Sequence, residues 1–281
     1  MMICDSQIHL WEDDRPDRPW PAGGKERLAS GAHRTETMGA DEMIGLMDAD
    51  GVDRAIIAPP SWAGTSTDYA LESAAKYPGR FAITPWLPLD KPEEGRKLLA
   101  AWQDEPAIKG ARFTLFSPED RAMLKDGTAD WYWEYAQEND FPTLILLPAE
   151  REILADVAGR FPGARIIIDH LGVVGVSGAA IAEPIDQLIA MARFPNVSVK
   201  ASAAPGLSEE AFPYADVNPY VIRVIEAFGP ERCYWGTDIT RLFHKGGYKE
   251  CIAQFTDHLG LSAGDLELIM GRALCNALAW D

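Results

Sequence analysis

The stretch Asp5-Ser6-Gln7-Ile8-His9-Leu10-Trp11 alternates polar and apolar residues, so in an extended strand Gln7 and His9 share one face. Other apolar runs end in polar groups: Arg112 in Lys109-Gly110-Ala111-Arg112-Phe113, Asp169-His170 after three isoleucines, Lys200 in Val197-Ser198-Val199-Lys200, and Asp238 after Tyr234-Trp235-Gly236-Thr237. Carboxylate and imidazole are the groups of general acid–base chemistry. A guanidinium presents a planar fork suited to a carboxylate. Each residue has a bland reading when taken alone. A strand-end His is more often a hydrogen-bonded structural residue, a strand-end Asp often caps the next helix, and Lys200 and Arg112 could be paired or solvated charges. Five apolar runs that each end this way point to one mouth, because burying such groups together without a purpose is costly.

The elements that would position them are short β-branched runs alternating with helical patterns. Strands are expected at 3–10, 54–58, 81–86, 108–114, 143–147, 165–170, 197–201 and 233–236, with 144–147 and 166–168 apolar throughout, as in strands covered on both faces. Helices are expected at 41–50, 68–77, 91–102, 130–139, 150–160, 218–228 and 248–259. Three junctions share one construction, an aromatic helix end, a Pro/Gly stop and a strand: Tyr77-Pro78-Gly79, Phe161-Pro162-Gly163 and Phe228-Gly229-Pro230. Eight β-then-α units predict an α/β chain forming one (β/α)8 TIM barrel, a single domain over 1–281, closed by a last helix at 263–279. A doubly wound sheet would show a Gly-rich phosphate turn after an early strand, which is missing.

In such a barrel, function gathers at the strand C-termini. The long segment 12–40, rich in Pro, Gly and charge, follows the first strand and is expected to lie over that face as a lid. Within it His33 is expected to be exposed. His244, shortly after Asp238, is a candidate for the site wall, and His258 reads as structural. Trp11, Trp62 and Trp86 fall at or just after strand ends, where they could wall a flat ring or pack beneath the loops.

With 26 Lys and Arg against 43 Asp and Glu, the formal charge of −17 makes nucleic acid and anionic membrane poor partners. No apolar run is long enough to span a bilayer, and the first residues lack a signal-peptide layout. Cys4, Cys233, Cys251 and Cys275 show no ligand spacing and read as reduced, half-buried thiols of a cytoplasmic protein. Against this acidic background the cations Arg112, Lys200 and Arg241, with Lys245, stand out and suggest a small anionic substrate. Nothing in the sequence sets the oligomeric state, and a homo-oligomer stays open.

In order and spacing the motifs resemble the amidohydrolase superfamily, in its amidohydrolase-related (amidohydrolase 2) branch. Residues 5–11 resemble the Asp-x-His-x-His-x-Trp opening of the 2-pyrone-4,6-dicarboxylate lactonase, sulfomuconolactone hydrolase and sugar-lactonase group. The likeness runs through Gly110-Ala111-Arg112-Phe113, Ile168-Asp169-His170-Leu171-Gly172, Val199-Lys200-Ala201-Ser202 and Pro213-Tyr214-Ala215-Asp216. It ends at the stretch 229–238, closing on Asp238. The resemblance implies hydrolysis at the strand ends of a distorted barrel. Asp238 would be the proton shuttle for the attacking water, while His170 and His9 would polarise the scissile carbonyl, as in the metal-free members.

Two positions depart from the pattern. Gln7 replaces the first His of the opening pair, and strand five ends in Leu146-Leu147-Pro148 with no His. Both are ligand positions in metal-dependent members, so the resemblance implies a metal-independent site. Zinc on His9, His170 and Asp238 is the alternative, since three ligands suffice for a catalytic zinc. The expected reaction is opening of a carboxylate-bearing lactone or related activated cyclic ester, with Asp238 as base and His9, His170 and the Gln7 amide as donors to the carbonyl. A metal-dependent decarboxylase or an amide or imide hydrolase is the first alternative. A non-catalytic barrel that binds a small molecule is the second; the change to Gln7 would fit decay, but the retention of His9, His170 and Asp238 together would not.

Overall fold

A computed structural model describes residues 1–31 and 33–280; Ala32 of the expected lid and Asp281 at the end of the expected domain lie outside them. Along the described chain the strands are β1 (Cys4–Ile8), β2 (Arg54–Ile57), β3 (Phe81–Ile83), β4 (Ala111–Thr114), β5 (Thr143–Leu146), β6 (Ile166–Ile168), β7 (Val197–Ser202) and β8 (Cys233–Gly236), with helices between them. All pair in parallel, in the orders β1-β2-β3 and β4-β5-β6-β7-β8. This is the α/β pattern of a (β/α)8 barrel, with its ladder interrupted at two seams. At the first, the parallel bridge between Ile83 and Ile108 links β3 to the chain entering β4.

The second seam lies between β8 and β1, where the Asp238 N–H donates to the Gln7 carbonyl at 3.0 Å. A side chain does much of the remaining joining. Asp5 Oδ1 accepts from the N–H groups of Thr237 (2.8 Å) and Gln7 (3.0 Å), and its Oδ2 accepts from the Thr237 hydroxyl. Burial pushes the Asp5 carboxyl up to about 6, with these donors pulling the other way. The strands approach this closely because Gly236 has no side chain; a Cβ there would stand 2.2 Å from Ser6 Oγ.

Strand β1 also carries the irregularity that aims the site. Asp5 pairs with Ala55 and Ile8 with Ile57, so β1 holds one more residue than β2 between the same two rungs. Such a bulge switches the face on which later side chains appear. Cys4 therefore packs inside the barrel with Ile56 and Ala82, and Gln7, an odd three positions later, also faces the interior as part of a cavity wall.

Cys4, Ile56, Ala82, Leu144, Ile167 and Tyr234, one from each of six strands, fill the N-terminal end, beneath Leu274, Cys275 and Trp280. The larger apolar cluster joins the outer strand faces to the helices. The four cysteines are free and buried, deeper than expected.

Several elements differ from the sequence reading. The strands at 3–10, 81–86, 108–114 and 165–170 are shorter, so His9, Asp169 and His170 lie just beyond a strand rather than in it. Segment 12–40 contains a helix, Gly24–Ser30, and the expected last helix is three pieces, Ala263–Glu267, a π-turn Leu268–Arg272 and Ala273–Ala277. A further helix, Pro118–Lys125, starts with a capping box in which Asp120 N–H donates to Ser117 Oγ and Ser117 N–H to Asp120 Oδ2. Helix Ala182–Ile189 buries Ile185 and Leu188 on one face.

Gly236→Ala should lower stability by about 1–3 kcal/mol through overpacking of the second seam. Gly45→Ala, at an exposed helical position with open space around it, should raise stability by about 1 kcal/mol. Urea denaturation midpoints of the two variants check both signs, and equal midpoints would show that the close approach of β8 to β1 is not required.

Candidate functional site

A cavity of about 600 Å³ opens at the C-terminal ends of the strands. From the barrel it receives Gln7 on β1 and His9 just after it, Arg112 on β4, Leu146 on β5, His170 after β6 and Asp238 after β8. Segment 12–40 adds Arg27, Ser30, Gly31 and His33. The apolar end of β5 is present here as Leu146, where a His would be needed for the larger metal cage.

Asp238 is 1% exposed, and neither carboxylate oxygen has a hydrogen-bond partner among the described residues. The groups around it are His9 Nε2 at 3.3 Å, His170 Nε2 at 3.8 Å and Arg241 Nη1 at 3.9 Å. Burial alone would raise the Asp238 carboxyl, but the His9, His170 and His33 imidazoles outweigh it and hold the carboxyl well below the usual range. The group is an anion at any working pH.

The protons on the two strand-end histidines follow from their partners. His9 Nδ1 lies 2.6 Å from the Ala58 carbonyl oxygen, which can only accept, so Nδ1 carries a hydrogen and Nε2 is the atom facing Asp238. For His170 the assignment runs through Gln7. Lys200 Nζ donates to Gln7 Oε1 at 2.9 Å, which turns the Gln7 amide nitrogen toward His170 Nε2, also at 2.9 Å. An amide nitrogen donates, so His170 Nε2 accepts, and the ring's proton sits on Nδ1, 2.8 Å from Ser202 Oγ. Burial lowers His170 to about 4, against the pull of Asp238 and Asp169, so the ring is neutral near pH 7. The expectation that His170 donates to a carbonyl is corrected accordingly: neutral, it offers a lone pair, already engaged by Gln7.

Lys200 is also placed differently from expectation. It is fully buried, absent from the cavity wall, and held by Gln7 and by Asp169 Oδ1 at 2.8 Å. Burial lowers its basicity, offset by Asp169. Arg112 reaches the other oxygen of Asp169 through Nε at 2.7 Å while lining the cavity. Burial acts to raise the Asp169 carboxyl, yet the two cations hold it far below the usual range.

The tryptophans separate into two roles. Trp62 and Trp86 line the cavity, whereas Trp11 lies behind Trp62, edge-on at 5.2 Å between ring centroids. His244 lines a smaller cavity of about 340 Å³ with Val173, Val176 and Leu207; this space shares His170 and Arg241 with the first.

His33 is half-buried, not exposed as expected, and it lines the main cavity. Its ring stands edge-on to His9 at 5.1 Å and tilted against Trp62 at 4.6 Å, and its Nδ1 lies 2.8 Å from Thr240 Oγ1. Burial lowers it to about 3, although Asp238 pulls the other way. Sequence reading missed it because its loop carries no period from which its direction could be deduced. One donor atom each from His9, His33 and Asp238 lie within 4.8 Å of one another, a set that could hold a metal ion. The trio differs from the expected His9, His170 and Asp238. The orphaned Asp238 oxygens and the nitrogen–oxygen donor set both fit a zinc-like cation.

A family model described as Amidohydrolase matches residues 4–273. L-fucono-1,5-lactonase of Burkholderia ambifaria is 26% identical over 256 residues, covering 89% of this chain and 85% of that protein. 4-Sulfomuconolactone hydrolase of Hydrogenophaga intermedia is 27% identical over 204 residues, 70% of this chain and 64% of that protein. In three dimensions, the crystal structure of an amidohydrolase from Burkholderia multivorans with bound zinc superposes over the full length of both chains, with a TM-score of 0.83 at 19% identity.

Removing the buried cation beneath the cavity should be expensive. Lys200→Met strips Asp169 of one partner and frees the Gln7 amide, and should lower stability by about 3–5 kcal/mol by urea denaturation. A loss below about 1 kcal/mol would show that Arg112 alone satisfies Asp169.

Proposed function

Since the chain belongs to the amidohydrolase family, we propose that it is a hydrolase that opens a lactone, or a related activated cyclic ester, carrying a carboxylate or another anion. The observation that carries this reading is the ionised Asp238 carboxylate, without a hydrogen-bond partner among the described residues, in a cavity whose wall holds Arg27, Arg112 and Arg241. The two lactone-named relatives support the same reaction.

In the proposed reaction the oxygen of a water attacks the lactone carbonyl carbon and the ring C–O bond breaks. Asp238 accepts a proton from that water and returns it to the departing alkoxide, so the carboxylate is regenerated. An activated ester, with its better leaving group, asks less of a carboxylate base than an unactivated amide does. The Gln7 amide has two hydrogens, one engaged by His170, and supplies an N–H for the developing oxyanion. His170, Lys200 and Ser202 orient Gln7 and do not touch the carbonyl in this scheme. Arg112 commits Nε to Asp169, which leaves its Nη groups for the substrate anion. Trp62 and Trp86 would bracket a flat ring.

A metal fits beside these groups, with His9, His33 and Asp238 as its holders; it would acidify a water and polarise the carbonyl. Four free cysteines favour a reducing compartment and hence action in the cytoplasm.

Opening a lactone near neutral pH releases a proton as the new acid ionises, whereas decarboxylation of a carboxylate consumes one. In weak buffer, a panel of carboxylated lactones should be acidified, and Asp238→Asn should abolish this while circular dichroism stays unchanged. Alkalinisation with an aromatic acid instead would replace the proposed reaction with decarboxylation. Arg112→Ala should raise KM for an anionic lactone about tenfold or more, with little change for a neutral analogue; equal effects on both would remove Arg112 from anion binding.

A further inference from the structure

Neither oxygen of the buried Asp238 carboxylate has a hydrogen-bond partner among the described residues. His9 Nδ1 lies against the Ala58 carbonyl, which leaves Nε2 as the ring atom turned toward Asp238 Oδ1 at 3.3 Å. His170 Nε2 is taken by the Gln7 amide. His33, brought in by segment 12–40 and not by a strand, completes a set whose donor atoms lie within 4.8 Å of one another.

We infer that His33 is the third ligand of a zinc-like cation held with His9 and Asp238, so that cation binding and the seating of segment 12–40 over the cavity are one event. The inference concerns the ligand set and stands whether or not the substrate is a lactone. Two imidazoles and a carboxylate match the nitrogen–oxygen preference of zinc, and three protein ligands leave a position open. The turn after β8 is built to deliver His33. Thr240 Oγ1 lies 2.8 Å from His33 Nδ1, and the Thr240 carbonyl accepts the Arg34 N–H at 3.0 Å, so adjoining residues of the segment are gripped by the turn that carries Asp238. Partners of this kind on the far ring nitrogen fix a ligating imidazole's tautomer and direction. The same segment is tied down at its flanks: Trp11 N–H donates to the Met38 carbonyl at 3.0 Å, and Gly24 packs where a Cβ would stand 2.5 Å from the Trp62 carbonyl oxygen.

The test uses metal-stripped full-length protein titrated with Zn²⁺ against a chromophoric chelator, with trypsin cleavage after Lys25 and Arg27 followed in parallel. Zinc should bind the wild type and slow cleavage of the segment severalfold. His33→Ala should weaken zinc by about 100-fold or more, since even a ligand's hydrogen-bond partner typically accounts for 10–100-fold, and should abolish the protection. Thr240→Val, which keeps the imidazole, should weaken zinc by about tenfold and decides the matter if His33→Ala does not fold. Unchanged zinc affinity in these variants, or loss in His170→Ala with retention in His33→Ala, would overturn the inference. So would zinc binding that leaves the cleavage rate untouched.

Discussion

A carboxylate taken out of water needs positive charge or donors nearby, and among the described residues no hydrogen bond reaches Asp238. Much of the surrounding architecture can be understood as the response to that requirement. The Ala58 carbonyl turns His9 so that Nε2 faces the carboxylate, and the turn after β8 holds His33 close by. The backbone bears part of the cost. Residues at the exits of three successive strands, His170, Ala203 and Asp238, have φ of 51°, 57° and 54°, a left-handed conformation that costs of order 1–3 kcal/mol at each non-glycine position. These three positions ring the mouth, while the opposite end of the barrel is closely packed and apolar.

Beneath the mouth lies a second electrostatic layer with a different task. Asp169 binds both Lys200 and Arg112, and Lys200 in turn fixes which end of the Gln7 amide meets His170. A buried ion pair thereby determines the proton position on a ring whose partner, Gln7, lines the cavity. Charge on the molecular scale and charge in the cavity also differ in sign. The chain carries −17, yet three arginines face the site. With screening over about 8 Å at physiological salt, a bound anion responds mainly to the arginines.

The barrel and its strand-end chemistry were legible because they rest on short-range rules. Alternation marks strands, Pro-Gly punctuation marks helix ends, and polar residues at the close of apolar runs mark a common mouth. What escaped depends on longer-range facts. Lys200 and Arg112 look alike in sequence, as single cations at strand ends, yet one is enclosed by Gln7 and Asp169 and the other reaches the cavity. Trp11 and Trp62 differ only in which of two rings, packed edge to face, lies in front. His33 belongs to a segment whose path is set by contacts with Trp62 and Thr240, remote in sequence and invisible to periodicity. Helix Pro118–Lys125 is a different case, since Ser117-Pro118-Glu119-Asp120 is itself a start signal that could have been read.

The seam between β8 and β1 gives the chain an order of assembly. Its partners Asp5 and Thr237 are 232 positions apart, and the candidate site straddles it, with Gln7 and His9 on one side and Asp238 on the other. During translation at about 5–20 residues per second, roughly ten to fifty seconds separate the emergence of the two edges. For that interval β1 can pair with β2, but the carboxylate of Asp5 has no Thr237 to receive, and the pocket lacks its central anion. A nascent chain stalled before β8 would hold most of its sheet and helices while remaining functionally blank, its first strand an open edge available to other unfinished chains.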